Sequence, residues 1–113
     1  MAYRGQTTTT TDLTPASVQA QVNAQPPLLV LDVRQPDEYR QGHVAGSILI
    51  PLDRLAQRLA ELPTDRPIAA ICRSGNRSGV AVEVLRRAGF EAYNVTGGML
   101  RWERDGLPVE RAP

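Results

Sequence analysis

The sequence predicts a small three-layer α/β domain, a parallel sheet between two layers of helix, and three observations carry that expectation. Two apolar runs, Leu28 to Val33 and Ile68 to Ile71, are continuous rather than alternating, the pattern of strands covered on both faces. Amphipathic segments separate the strand-like runs, and strict alternation of strand and helix implies parallel strands joined by right-handed crossovers. The length, 113 residues, suffices for one core and falls short of two, so residues 1–113 are expected to form a single domain.

In chain order, residues 1–11 read as a partly flexible tail, whose five threonines from Thr7 to Thr11 favour extended backbone and suggest a short edge strand near its end. Thr14 and Pro15 form an N-cap followed by proline at the first helical position. Val18 and Val22 repeat at i, i+4 before Gln25-Pro26-Pro27 ends that helix. Leu28 to Val33 is the first buried strand. Pro36-Asp37-Glu38-Tyr39-Arg40 has proline and then an acidic first turn, with Gly42 to stop it, and predicts a helix of one to two turns.

Gly42-His43-Val44-Ala45-Gly46 reads as a turn-rich connector, and Ser47 to Ile50 as a short strand halted by Pro51. Leucines at 52, 55, 59 and 62 are spaced by three, four and three, one face of a helix over Leu52 to Leu62. After the loop Pro63 to Pro67 comes the second buried strand, Ile68 to Ile71. The helix from Ser78 to Ala88 carries Val80, Ala81, Val84, Leu85 and Ala88 as its expected apolar stripe, and Gly89 stops it. Phe90 to Val95 is the next strand. Thr96-Gly97-Gly98 then turns into a helix bearing Met99, Leu100 and Trp102, with Trp102 expected in the core, and the tail after Val109 is polar and carries no signal.

Composition narrows the function classes. Thirteen basic residues, all arginine, face twelve acidic ones, so the charge argues for neither a nucleic-acid footprint nor a membrane-surface patch. No stretch has transmembrane length and the N-terminus lacks the apolar centre of a secretory signal, so the expected location is cytoplasmic. One cysteine forms no internal disulfide, and one cysteine with one histidine is too few soft ligands for a zinc site. No metal or cofactor is called for, and the oligomeric state is not specified.

Cys72 is therefore either inert core or reactive. A buried cysteine after an apolar strand is commonly just a small hydrophobe. The next six residues speak for chemistry: Arg73-Ser74-Gly75-Asn76-Arg77-Ser78 masses positive charge where a bound anion would balance it, and Gly75 and Asn76 tolerate the backbone angles of an inward-curling ring of amides. A thiol beside a helix start and two guanidinium groups should titrate below its free value of about 8.5. Such a thiolate needs no general base, which leaves His43 a structural hydrogen-bonding role in its connector. Asp32 and Arg34 at the end of the first strand, with Glu38 beyond, are expected to form an ion-pair network that supports the loop.

Taken together, these residues resemble the single-domain rhodaneses. The resemblance runs through Leu31-Asp32-Val33-Arg34 with Glu38-Tyr39, Gly42-His43-Val44-Ala45-Gly46-Ser47-Ile48 with Pro51, Cys72-Arg73-Ser74-Gly75-Asn76-Arg77-Ser78, and Gly97-Gly98 with Trp102. It implies a rhodanese-like fold with a mainly five-stranded parallel sheet and helices on both faces. It also implies a Cys72 persulfide formed from thiosulfate, a small anionic donor, and passed to cyanide or a thiol. Arg73 and Arg77 would hold the donor, and the amides from Ser74 to Ser78, including Gly75 and Asn76, would cradle the sulfur. Ser78 is also placed to cap the helix after the loop.

Two other readings stand beside it. Related folds acting on phosphate or arsenate have five residues between cysteine and arginine, whereas four separate Cys72 from Arg77, a tighter ring that suits one sulfur atom better than a tetrahedral oxyanion. Phosphatase or arsenate reductase is accordingly the lesser alternative. The other is a persulfide relay module that receives sulfur from a partner protein.

Overall fold

The computed structural model describes residues 11–111, so the tail expected over residues 1–11 lies, apart from Thr11, outside the described residues. Five parallel strands form the central sheet: β1 (Asp12–Leu13), β2 (Leu29–Asp32), β4 (Ile48–Leu49), β5 (Ile68–Ile71) and β6 (Ala92–Val95), in the order β1-β6-β5-β2-β4. The two continuous apolar runs lie side by side at its centre, Leu29 opposite Ile68 and Asp32 opposite Ile71. β1, a short edge strand paired with β6, begins at Asp12, just past the stretch expected to hold an edge strand.

Burial on both faces accounts for the continuous runs. Leu29, Leu31, Ile68 and Ala70 pack into one core with Leu55 of α3 (Leu52–Leu55) and Ala81 and Leu85 of α4 (Asn76–Arg87). Val30, Ala69 and Ile71 face the opposite core, with Val18 of α1 (Pro15–Gln21) and Met99 and Trp102 of α5 (Gly98–Arg104). Successive strand residues point to opposite faces, so a strand between two helical layers has no face left for polar residues. Trp102 is fully buried, as expected, and its indole N–H donates to the Pro108 carbonyl at 2.9 Å.

Local signals near the N-terminus hold. Thr14 caps α1, its Oγ1 accepting from the Ser17 N–H at 3.1 Å, with Pro15 first in the helix. α2 (Pro36–Gln41) begins at its proline, and Glu38 reaches back to accept from the Gln35 N–H at 3.0 Å.

Four expectations need correction. The helix drawn over Leu52 to Leu62 is split into α3 and a 3₁₀ turn, Leu59–Glu61. Between them the chain tightens into i to i+3 hydrogen bonds, Gln57 N–H to Arg54 O and Arg58 N–H to Leu55 O. Leu55 and Leu62 are buried all the same. The leucine spacing reports which side meets the core, and both helical forms satisfy it.

The stripe of α4 is rotated from expectation: Val80 is 52% exposed and Ala88 is exposed, while Ser78, Ala81, Val82 and Leu85 are buried. A serine holds a core-facing position, for reasons that lie in the site. Strand β6 starts at Ala92, because the Phe90 N–H still closes the end of α4 on Leu85 O. Finally, the connector and the supposedly featureless tail meet. β3 (His43–Val44) pairs antiparallel with β7 (Val109–Glu110), His43 opposite Glu110. Strands of two residues are too short for periodicity to register.

Candidate active site

Cys72 is the first residue beyond β5, at the carboxyl end of a central strand, where ligands of parallel sheets sit. The chain turns through Arg73 and Ser74 to Gly75, whose φ of +111° is one that side-chain-bearing residues rarely adopt, and α4 starts at Asn76. The turn folds the amides back over the thiol. Gly75 N–H reaches Sγ at 3.1 Å, Ser78 N–H at 3.4 Å, and Ser78 Oγ lies 3.3 Å away. Cys72 is 1% exposed and Ser78 fully buried, so the sulfur forms the floor of the loop.

Burial pushes the Cys72 thiol up, but the Ser78 hydroxyl and the backbone N–H groups of Ser78, Gly75 and Ser74 pull it down further, and the net shift is downward. The leading stabilisers are thus oriented dipoles rather than the guanidinium charges. Ser78 is committed to sulfur and to Asn94, and Gly75 occupies the N-cap position, so Ser78 does not cap α4.

Arg77 is not left waiting for an anion. Its Nη1 and Nη2 donate to Glu38 Oε1 and Oε2 at 2.8 and 2.9 Å, closing a bidentate pair between α4 and α2. The expectation that only a ligand would balance the loop's positive charge is corrected by this partner, which is distant in sequence. The Arg77 hydrogen bonds, reinforced by the Gln35 N–H and opposed by burial, lower the Glu38 carboxyl to about 2. Arg73 is exposed and makes no ion pair among the described residues. Ser74 and Asn76 are exposed on the loop rim.

Behind the loop, Arg34 and Asp32 form a buried fork, Nε to Oδ1 at 2.9 Å and Nη2 to Oδ2 at 2.8 Å, and Arg34 Nη2 also donates to Gly42 O at 2.7 Å. This pair ties the end of β2 to the connector. His43 stacks on Tyr39 with ring centroids 3.7 Å apart. Its Nδ1 lies 2.7 Å from Tyr39 O, an acceptor, which places the proton on Nδ1, and Nε2 faces Glu110 at 3.8 Å. No contact of His43 involves Cys72.

Two residues of the site were missed in the sequence. Asn94 on β6 accepts from Ser78 Oγ at 2.6 Å and donates from Nδ2 to Gly75 O at 3.1 Å, spanning the loop. Its signal was a polar side chain of low strand propensity inside an apolar run. Gly98 brings α5 against the loop, with Met99 N–H on Cys72 O at 2.8 Å and Leu100 N–H on Arg73 O at 3.0 Å. A Cβ at Gly98 would overlap the Cys72 and Arg73 carbonyls, and its φ is +58°. Two consecutive glycines before a helix were the trace of that approach.

A cleft of about 260 Å³ opens beside the loop, bordered by Arg34, Glu38, Arg73, Leu100, Glu103 and Arg111. Among the described residues no three His, Cys, Asp or Glu side chains converge as metal ligands, and no helix is long and apolar enough to cross a membrane.

Known proteins share both the sequence pattern and the architecture. The family model of the rhodanese-like domain matches residues 14–105. A sulfurtransferase of Allochromatium vinosum is 36% identical over 83 residues, 73% of this chain and 78% of that protein. An HTH-type transcriptional regulator of Mycobacterium tuberculosis is 46% identical over 83 residues, 72% of this chain, and the chain spans only 37% of that longer protein. Among solved structures, a rhodanese-related protein from Thermoplasma volcanium superposes with a TM-score of 0.84 at 37% identity, covering 89% of this chain and 98% of that one.

Proposed function

The chain belongs to the rhodanese-like domain family, and on that premise we propose that it is a sulfurtransferase in which Cys72 carries sulfur from thiosulfate to a thiol or cyanide. The observation that carries this reading is the ring of polar groups on Sγ: two backbone amides donate to one buried sulfur and the Ser78 hydroxyl lies 3.3 Å from it. Such a ring favours a thiolate without a general base.

In the first half of the cycle the Cys72 thiolate attacks the outer sulfur of thiosulfate, an S–S bond forms, and the bond to the sulfonate sulfur breaks to release sulfite. In the second half the acceptor attacks the terminal sulfur of the persulfide and the Cys72 thiolate is restored. Arg73 is the exposed cation for the incoming anion, and Arg77, oriented by Glu38, faces the developing charge on sulfite with its remaining donors. Asp32, Arg34, Glu38 and His43 hold the elements around the loop. A cytoplasmic location and independence from metal and cofactor belong to the same proposal.

The cleft beside Arg73 supports a second reading, a relay module that takes sulfur from a partner protein. It is roomier than cyanide requires, and Leu100 stands 49% exposed at its edge. Steady-state formation of thiocyanate from thiosulfate and cyanide distinguishes the two. Ping-pong kinetics with both small molecules support the enzyme, while a persulfide formed only from a protein donor supports the relay. Hydrolysis of an aryl phosphate without any sulfur adduct would favour the phosphatase instead.

A further inference from the structure

The orientation of the Asn94 amide is determined by its neighbours. Its Nδ2 lies 3.1 Å from Gly75 O, a carbonyl that only accepts, so the amide nitrogen must face Gly75 and Oδ1 must face Ser78. Ser78 Oγ therefore has two claimants for one proton: Asn94 Oδ1 at 2.6 Å and Cys72 Sγ at 3.3 Å. While Cys72 is a thiol, both are satisfied in line, with S–H donating to Oγ and Oγ–H to Oδ1. A thiolate can only accept. If the hydroxyl turns to sulfur, a third donor reaches the thiolate beside the Gly75 and Ser78 amides, and Oδ1 loses its donor.

We propose that Asn94 is a positioning residue that holds the Ser78 proton while Cys72 is a thiol and yields it when the sulfur becomes a thiolate. The thiol proton leaves to solvent, the Ser78 proton remains on Oγ, and only the direction of one hydrogen bond changes. The competition holds thiolate stabilisation below what the same donors would give unopposed. That suits a nucleophile, because a thiolate stabilised too far attacks more slowly. The proposal rests on Cys72 being the sulfur-bearing residue, but its test reads thiol ionisation alone and so fails or succeeds independently of which sulfur donor is used.

The test is the ultraviolet titration of the Cys72 thiolate in the unaltered protein, Ser78→Ala, Asn94→Ala and the double variant. The charged groups on the surrounding elements stay in place throughout: Arg77 on α4, Glu38 on α2, Asp32 and Arg34 at the end of β2, Arg73 in the loop and Arg101 on α5. Ser78→Ala should lower the thiolate population at a fixed pH below the midpoint by roughly threefold to tenfold, the equilibrium effect of one ordinary hydrogen bond. Asn94→Ala should raise it by a similar factor, and that gain should vanish in the Ser78→Ala background. An equal gain in both backgrounds, or an Asn94→Ala midpoint at or above that of the unaltered protein, overturns the proposal.

If Asn94→Ala does not fold, the side-chain carbonyl carbon of Asn94 serves by NMR in the unaltered protein. Its resonance should follow the thiol titration with the same midpoint and remain still in Cys72→Ser and in Ser78→Ala. A carbonyl resonance that stays flat through the thiol titration contradicts the proposal.

Discussion

Glu38 and Arg77, 39 residues apart in the chain, are joined by two parallel hydrogen bonds of 2.8 and 2.9 Å, so an arginine in the first turn of α4 is held by α2 before any ligand arrives. The fork fixes the direction of the guanidinium, and orientation rather than bare charge is what it contributes to the site.

This pair has a defined pH signature. Glu38 is lowered from 4.5 to about 2 by Arg77 first, against burial, so its stabilisation is fully present above about 4.5 and is lost as pH falls through about 2. Both partners are partly exposed, 37% and 28%, so solvent limits the effect to about 1 kcal/mol or less. Glu38→Gln should melt a few degrees below the unaltered protein at pH 7, with the gap closing as the pH approaches 2. A gap that stays constant down to pH 2 would dissociate the pair from that stability.

Arg77→Ala should lower kcat/KM for thiosulfate by roughly tenfold or more, the effect of losing charge-assisted hydrogen bonds to an anion, while the melting temperature falls by only a few degrees. Parallel measurement of thiocyanate formation and thermal unfolding checks it. Unchanged kinetics would remove Arg77 from the site.

Gly98→Ala should be severely destabilising. The added Cβ meets two backbone carbonyls of the active loop rather than flexible side chains, and the residue sits at positive φ. A cost of about 2–4 kcal/mol is expected, read as a drop in melting temperature of roughly 10 °C or more. Gly106→Ala has the same sign of φ and nothing within 4 Å, and should lose much less. Equal losses in the two variants would mean that the close approach of α5 to the loop does not matter.

Cys72→Ser should abolish sulfur transfer and shift the melting temperature by no more than about 5 °C. The thiol belongs to the core as well as to the loop, being packed with the cluster that contains Leu31 and Ile68, but the hydroxyl is of similar size and accepts from the same amides. Calorimetry alongside the transfer assay separates the two roles. A large thermal loss would assign Cys72 chiefly to packing.

How far the sequence discloses this molecule depends on the range of each interaction. The strands at Leu29–Asp32 and Ile68–Ile71 are legible because burial on both faces leaves uninterrupted apolar runs. The cap at Thr14 and the loop after Cys72 are legible because the residues that make them are neighbours in the chain. The Glu38–Arg77 fork, the Asn94 bridge and the pairing of His43–Val44 with Val109–Glu110 unite distant segments, and no local pattern names their partners, although Asn94 stands out as a polar residue in an apolar strand. Ser78 misled the reading of α4 for a physical reason. The helix spends a core-facing position on a hydroxyl that serves the sulfur, so the apolar stripe is broken where the site begins.

The most direct test of Cys72 as a sulfur carrier is the mass of the intact protein after exposure to thiosulfate. The expected result is the gain of one sulfur atom, absent in Cys72→Ser and reversed by cyanide with release of thiocyanate. A mass that does not change in the unaltered protein, or a gain that persists in Cys72→Ser, would contradict it.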